Sequence, residues 1–174
     1  MNITAPLTKE TVRTLKAGDS VKISGTIYTA RDAAHKKMIE ALEKGEPLPF
    51  DIENQIIYYV GPCPAKPGEI IGSCGPTTSG RMDAYAPTLI RMGLAGMMGK
   101  GERTDEVYSA MQDCGCIYFG ATGGCGALLA SCVTAVEEVA YPELLSESIK
   151  KLTVKDFPAI VIADCHGGNL YKRR

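Results

Sequence analysis

Large aromatic side chains are scarce in this chain: it has no tryptophan and only three phenylalanines among 174 residues. Proteins that bind single-stranded nucleic acid stack its bases on aromatic rings, so this scarcity argues against a stacking platform. The formal net charge is -1, and no basic stripe with interleaved aromatics follows the sequence. Because nucleic-acid binding depends on neutralising phosphates with Lys and Arg, we do not expect nucleic acid as a partner.

Long apolar runs and histidines are scarce as well. No segment approaches the roughly 20 apolar residues that a membrane-spanning helix needs, so we expect no membrane association. Residues 1–6 lack the basic and apolar regions of a signal peptide, which makes the cytoplasm the expected location. The chain has two histidines and no carboxylate–histidine cluster, so we expect it to hold no metal alone. His35 lies beside two lysines inside a predicted helix, and we expect its side chain to be exposed.

Cysteine, in contrast, is well represented. Seven cysteines are present, an odd number, and Cys114-Gly115-Cys116 fits no strong zinc or ferredoxin spacing. In a reducing compartment most would be free thiols, and free cysteine is among the residue types most often buried. We therefore interpret the cysteines as packing residues, with Cys125 and Cys132 on the core side of a helix. The run Asp164-Cys165-His166 has the residue types of a catalytic triad, but adjacent residues on a turn rarely point at one another, so we expect no nucleophilic role.

Predicted strands and helices alternate through most of the chain. An N-terminal arm with a short helix occupies residues 1–18. Predicted strands follow at 20–28, 55–61, 69–72, 94–98, 116–119, near 149–154 and at 159–163, and predicted helices at 30–44, 80–92, 104–113 and 126–139. This order predicts one α/β domain over residues 1–174 with a mixed, partly parallel sheet. Because irregular loops join the early strands, we expect a compact β/β/α arrangement of the swivelling type rather than a doubly wound sheet.

Three predicted strand-to-helix junctions each carry one cation. Arg31 lies in the first helical turn after strand 20–28, Arg81 follows the small-residue loop 72–80, and Lys100 stands between two glycines after strand 94–98. In open α/β sheets, ligands bind at the carboxyl ends of the strands, where helix N-termini already carry partial positive charge. Three cations there predict a site for a ligand with more than one acidic group. For the loop before Arg81 taken alone, an ordinary capped helix with a solvated arginine is the alternative.

A second glycine-rich loop, residues 120–127, lies between a predicted strand and helix. It lacks the Lys-[Ser/Thr] of a P-loop and the downstream acidic residue of a dinucleotide site. Tight packing of strand against helix and a wall of the active site both remain open for it. The terminal run 172–174, Lys-Arg-Arg, is interpreted as a solvated tail.

Five segments taken together resemble a known family. They are Ser24–His35, Gly61–Pro62, Gly75–Asp83, Gly99–Gly101 and Asp156–Ala159. In this order they resemble the β subunit, or C-terminal half, of the class I iron–sulfur hydro-lyases, namely class I fumarase and L-tartrate dehydratase. The resemblance runs from about residue 4 to residue 171, and the ordered set is far more specific than any single glycine loop.

The resemblance implies an enzyme subunit that hydrates fumarate reversibly to L-malate and works only with an α subunit. That partner would hold the [4Fe–4S] cluster, whose open iron acts as a Lewis acid on the departing hydroxyl. This chain would then hold neither metal nor cofactor, and an α2β2-type hetero-oligomer is the implied assembly. L-Tartrate or a related dicarboxylate is the alternative substrate. A non-catalytic domain for dicarboxylate binding or assembly is the alternative of another class.

The resemblance also implies roles for individual residues. It makes Thr77 the catalytic base, with the adjacent Thr78 as a rival for that role and otherwise a substrate-binding residue. It makes Arg31, Arg81 and Lys100 substrate-binding residues, the same cations that the strand ends indicate. Two arginine forks would fix the rotation of a dicarboxylate, and Lys100 would add a point charge. A threonine hydroxyl is a poor base, so its alkoxide would need cations and helix N–H groups nearby.

Overall fold

The structure is a computed structural model that describes residues 1–121 and 124–172. Within these ranges, the strands are β1 (Asn2–Ala5), β2 (Ser20–Thr29), β3 (Ile56–Tyr58), β4 (Gly96–Gly99), β5 (Ile117–Gly120), β6 (Val133–Ala140) and β7 (Ile149–Ala163). The α-helices are α1 (Lys9–Thr14), α2 (Asp32–Glu43), α3 (Ala86–Arg91), α4 (Asp105–Cys114) and α5 (Gly126–Ser131). Short 3₁₀-helices span Ser79–Met82, Pro142–Glu147 and Leu170–Lys172. Two residues of the predicted glycine-rich loop and two of the predicted terminal tail lie outside the described residues.

Strand pairing closes a barrel. β2, β3, β4 and β5 are neighbours in that order and run parallel. β7 runs antiparallel to both β5 and β2, so it joins the two ends of this row and completes a ring of five strands. β1 adds to β2 in parallel, and β6 adds to β7 in the antiparallel sense. The predicted compact α/β fold with a mixed, partly parallel sheet is confirmed.

Side chains of the barrel strands alternate between two buried clusters. Ile56 and Tyr58 belong to an inner cluster, whereas Ile57 and Tyr59 belong to an outer cluster that α2, α3 and α4 also line. This alternation follows from the period of two along a strand. Because the helices cover the outer face, β3 is buried on both faces and its sequence is a continuous apolar run.

The predicted helix at 126–139 is wrong beyond its first turns. α5 ends at Ser131, and the next residues form β6, which pairs with β7. The sequence of β6 is rich in β-branched residues, and Glu137 stands opposite Lys151 in the pairing. A cross-strand pair of opposite charges stabilises a sheet, and β7 becomes available only through the tertiary fold.

Other boundaries also differ from prediction. Residues 69–72 form no strand, because the amide of Gly72 donates to the carbonyl of Cys63 and ties the segment to its own connecting loop. The predicted helix 80–92 is divided into the 3₁₀-helix at Ser79–Met82 and α3, which begins beside Pro87. The two final strands are one continuous strand, β7. Within the described ranges, no helix has the length and apolar character needed to cross a membrane.

Candidate functional site

The carboxyl ends of β2, β3 and β4 meet at one end of the barrel. Arg31 follows the last residue of β2 by two residues, and Lys100 directly follows β4. The three strands are parallel neighbours, spaced by about 4.8 Å. The backbones at Arg31 and Lys100 are therefore about 10 Å apart, with the end of β3 between them. This separation suits two residues that bind the two carboxylates of a short diacid.

The segment that carries both threonines is bonded directly to these strand ends. The amide of Thr77 donates to the carbonyl of Tyr59 at 2.8 Å, and the amide of Ser79 donates to the carbonyl of Lys100 at 2.8 Å. Thr78 and Lys100 form an isolated parallel bridge. The structure therefore brings Thr77, Thr78 and Lys100 together.

Two glycines permit this close approach. A Cβ atom at Gly99 would lie 2.1 Å from Ser79 Oγ, a distance that real side chains do not reach. A Cβ atom at Gly61, just after β3, would lie 3.1 Å from both Cδ and Nη1 of Arg31. The Arg31 side chain therefore lies close against the backbone of Gly61, beyond the end of β3.

Arg31 also has acidic neighbours that the sequence did not indicate. Its Nε atom lies 3.7 Å from Glu147 Oε1 and 3.9 Å from Asp32 Oδ1. Both distances exceed those of hydrogen bonds, and Nε is buried without a hydrogen-bond partner. The Arg31 Nε atom is thus held by charge and not by a hydrogen bond.

Arg81 and Lys100 are exposed. Throughout residues 1–121 and 124–172, neither side chain lies within 4 Å of a carboxylate. Arg81 lies in a 3₁₀-helix rather than the predicted α-helix, and such a helix has three residues per turn. Thr78 precedes this helix in an extended conformation, and Arg81 lies within the helix, three residues further on.

This chain is similar to proteins of a known family. Residues 1–174 match the family described as Fumarase C-terminus. The chain belongs to the Fumarase C-terminus family. It is 42% identical over 172 residues to a Methanocaldococcus jannaschii protein named "Putative L(+)-tartrate dehydratase subunit beta", covering 95% of this chain and 88% of that protein.

Longer relatives carry names of fumarate hydratases. The chain is 41% identical over 155 residues to the aerobic class I fumarate hydratase of Escherichia coli K12, and 39% identical over 158 residues to fumarate hydratase 2 of Leishmania major. These alignments cover 88% and 90% of this chain but only 28% of either relative. The resemblance stated from the motifs is confirmed, and the Fumarase C-terminus family is one of hydro-lyases.

The prediction that His35 is exposed is wrong. Its side chain is fully buried, and the ring Nδ1 donates to the carbonyl of Arg31 at 2.8 Å. Burial, opposed by that hydrogen bond and assisted by the charge of Arg103, lowers the pKa of His35 to about 4. His35 is therefore neutral at pH 7 and holds the first turn of α2, where Arg31 lies. The buried stripe of Ala34 and Met38 on α2 was the available signal.

A buried ion pair that the sequence did not indicate lies beneath the candidate site of this Fumarase C-terminus chain. Arg103 Nε donates to Asp83 Oδ1 at 2.6 Å, and the amide of Thr104 donates to Asp83 Oδ2 at 2.8 Å. Burial lowers the pKa of Arg103, but Tyr59 and Asp83 outweigh it and raise that pKa above its ordinary value. Nothing in the sequence marked this arginine, because a charge in a loop is ordinarily solvated.

The cysteines of the chain do not form a ligand set. Cys74 and Cys116 are buried, as predicted for packing residues, whereas Cys63 and Cys114 are exposed. Burial, with a smaller contribution from Cys63, raises the pKa of the Cys74 thiol to about 11. In the part of the chain that the structure describes, no three His, Cys, Asp or Glu residues are grouped to hold a metal ion. A cluster with three cysteine ligands therefore does not fit these residues.

The turn that follows β7 has a structural function. The Asp164 carboxylate accepts hydrogen bonds from the amides of His166 and Gly168, at 2.8 and 2.9 Å. The ring Nε2 of His166 donates to the carbonyl of Arg13 at 2.8 Å. Both groups are engaged with backbone, so they are unavailable to activate Cys165. A neighbouring cavity of about 350 Å³, lined by Cys165 and His166, is at the amino ends of the parallel strands and not at the candidate site.

Proposed function

We propose that this chain is the β subunit of an iron–sulfur hydro-lyase that hydrates fumarate reversibly to L-malate. In this proposal the chain supplies the catalytic base and most of the carboxylate binding. The observation that carries the proposal is that the segments bearing Arg31, Thr77 to Arg81, and Lys100 meet at one end of the barrel. Three cations beside one hydroxyl suit a doubly acidic substrate that loses or gains a proton.

A partner chain is part of this proposal. The chain covers 88% of a relative named as a β subunit but only 28% of the fumarate hydratases. The remaining length of those relatives would correspond to an α subunit here, with α2β2 as the proposed assembly. Since the cysteines of this chain offer no ligand set, we assign the [4Fe–4S] cluster to that α subunit. A reducing compartment such as the cytoplasm suits the free thiols.

Carboxylate binding is the first task of the chain. Arg31 and Arg81 each present a planar fork that can bind both oxygens of one carboxylate. Lys100 adds a third positive charge beside Thr78. Two forks on different segments would fix both ends of the substrate and stop its rotation. Fixing the C–H bond in line with a base removes much of the entropic barrier of the reaction.

Proton transfer at the substrate carbon is the second task, and we assign it to the Oγ1 atom of Thr77. Its alkoxide would be stabilised by the adjacent cations, without which a threonine hydroxyl is far too weak a base. Two features favour Thr77 over Thr78. Thr77 is half-buried and fixed by its amide to Tyr59, whereas Thr78 is exposed. We therefore keep Thr78 as a substrate-binding residue.

L-Tartrate is the second candidate substrate. It differs from malate by one hydroxyl, and the relative aligned over most of its own length is named as a tartrate dehydratase subunit. A single hydroxyl changes few contacts with the ligands proposed here. We therefore expect the same four residues to serve either substrate, and the substrate profile to depend on the partner surface.

The test uses this chain mixed with its partner chain after cluster reconstitution. We expect the mixture to hydrate fumarate, and Thr77→Ala and Arg81→Lys each to lower kcat/KM by about 10²-fold or more, because each removes a transition-state contact. Thr77→Ser keeps the hydroxyl and should retain most activity. Arg91→Lys is the matched control, since Arg91 is an exposed arginine at the end of α3.

Three outcomes would contradict parts of the proposal. Full turnover by Thr77→Ala would exclude Thr77 as the base. Turnover of L-tartrate with none of fumarate would make L-tartrate the substrate in place of fumarate. Tight dicarboxylate binding by the mixture without any turnover would favour the non-catalytic binding domain.

A further inference from the structure

The buried ion pair joins the two loops that carry the proposed substrate ligands. Asp83 follows Arg81 by two residues, and Arg103 follows Lys100 by three. Arg103 Nε donates to Asp83 Oδ1 at 2.6 Å, so a side-chain contact supplements the main-chain bond between Ser79 and Lys100. The two loops are therefore connected on both sides of the ligands that they carry.

The guanidinium of Arg103 is also fixed against the barrel. Its side chain has 0% exposure, and Nη2 donates to the Tyr59 hydroxyl at 3.2 Å. Its central carbon lies 5.2 Å from the ring centroid of Tyr59 and 5.1 Å from that of Tyr118, within the range of cation–π contacts. Tyr59 directly follows β3, and Tyr118 belongs to β5. Arg103 thus fixes the position of both loops relative to β3 and β5.

The Tyr118 hydroxyl also connects the same two loops. It donates to the carbonyl of Gly101 at 2.6 Å and lies 2.9 Å from Ser79 Oγ. Ser79 belongs to the loop of Thr77 and Arg81, and Gly101 to the loop of Lys100. Two independent polar contacts therefore fix the relative position of the same two loops.

Stability alone does not account for such a buried pair. Desolvation of two ions is costly, and apolar residues of similar volume are often as stabilising or more so. A charged pair with one allowed geometry can instead select one arrangement of the chain. We propose that Arg103 is a positioning residue that sets the distance of Lys100 from Thr77 and Arg81, and thereby how a dicarboxylate is held. This inference rests on the proposed function.

Arg103→Lys tests this role in the complex with the partner chain. Lysine keeps the charge but lacks the fork that contacts Asp83 and Tyr59 together. A misplacement of about 1 Å can cost about 10²-fold in rate, so we expect kcat/KM for fumarate to fall at least tenfold, mainly through KM. If Arg103 acts through Lys100, the same substitution in a Lys100→Ala background should lower kcat/KM by less than about twofold further. The full tenfold loss in that background would indicate a general structural defect and overturn the proposal.

Amide hydrogen exchange on the full chain provides a readout that needs no turnover. The Ser79 amide is bonded to the Lys100 carbonyl, so Arg103→Lys should speed its exchange while leaving the Ile57 amide of β3 unchanged. Val12→Ala is the matched control, because Val12 is buried in α1 at the other end of the barrel. It should lower the melting temperature without speeding exchange at Ser79.

Unchanged exchange at Ser79 in Arg103→Lys would overturn the positioning role. If that variant does not fold, Asp83→Asn is used in its place, since it keeps the shape and the acceptor for Thr104 and should speed Ser79 exchange likewise. A wild-type complex that neither binds nor hydrates fumarate would refute the proposed function instead, and the exchange result would still decide whether Arg103 fixes the two loops.

Discussion

Acidification should destabilise this protein through His35 before its carboxylates are protonated. The buried ring has a pKa of about 4, lowered chiefly by burial, against 6.5 for an exposed histidine. Between these values the unfolded chain binds a proton that the folded chain does not. Stability therefore rises with pH across this window, and it is lost as the pH falls from about 6.5 towards 4.

The size of this effect follows from the difference in pKa. Each pKa unit corresponds to about 1.4 kcal/mol, so the complete effect is about 3 kcal/mol. Between pH 7.5 and pH 4.5 the loss is about 2.5 kcal/mol, because the folded ring is still mostly neutral at the lower value. Protonation would place a charge on the buried Nε2 atom, which has no hydrogen-bond partner, so α2, which carries the ring, is the element expected to loosen first.

Urea unfolding at pH 7.5 and pH 4.5 measures this loss. The variant His35→Gln has no titrating ring, so its free energy of unfolding should fall by about 2.5 kcal/mol less than that of the wild type. Equal pH dependence in the wild type and His35→Gln would refute the reasoning.

Two further predictions concern packing and thiol reactivity. Gly99→Ala should destabilise the fold by about 1–3 kcal/mol, since its Cβ would lie 2.1 Å from Ser79 Oγ, whereas a Cβ at Gly75 meets nothing within 4 Å and Gly75→Ala should leave the melting temperature unchanged. Equal melting temperatures for the two variants would contradict the close approach. In maleimide labelling followed by mass spectrometry, the exposed Cys63 should react quickly, and the buried Cys74, with a pKa of about 11, only after unfolding. Equal labelling rates for both thiols in the folded protein would count against this assignment.

Local patterns were sufficient to predict the parallel half of the fold. β2, β3 and α2 were placed within a few residues, because apolar runs and helix starts depend mainly on neighbouring residues. β6 was not predicted, since an isolated segment gives no sign that β7 will pair with it. Closure of the barrel likewise depends on contacts between β2 and β7, which are distant in sequence.

The same distinction holds at the candidate site. Arg31 and Lys100 could be placed at strand ends because each follows a predicted strand that the structure contains. Thr77 was placed after a predicted strand at 69–72 that the structure lacks, and its segment reaches the site through hydrogen bonds to Tyr59 and Lys100 instead. The contact between Arg103 and Tyr59 joins residues 44 positions apart, and no local pattern indicates it. Burial of His35 depends in the same way on the Tyr59 ring, which lies 5.4 Å away in an edge-on arrangement. Sequence therefore indicated candidate groups for ligand binding, and the structure adds the contacts that hold their segments in place.

Exposure of the cations explains why the proposed reaction would need a second chain. At 4 Å, two unit charges attract by about 1 kcal/mol in bulk water but by about 4 kcal/mol at the effective dielectric constant of a protein surface. Arg81 and Lys100 face solvent in this chain, so on their own they would hold a diacid weakly and its carboxylates would stay hydrated. A partner surface that covers the end of the barrel would strengthen the contacts of Arg81 and Lys100 with the diacid and would also stabilise the alkoxide of Thr77. The positions that Arg103 fixes would not change. The rigid frame would then come from this chain and the exclusion of water from its partner.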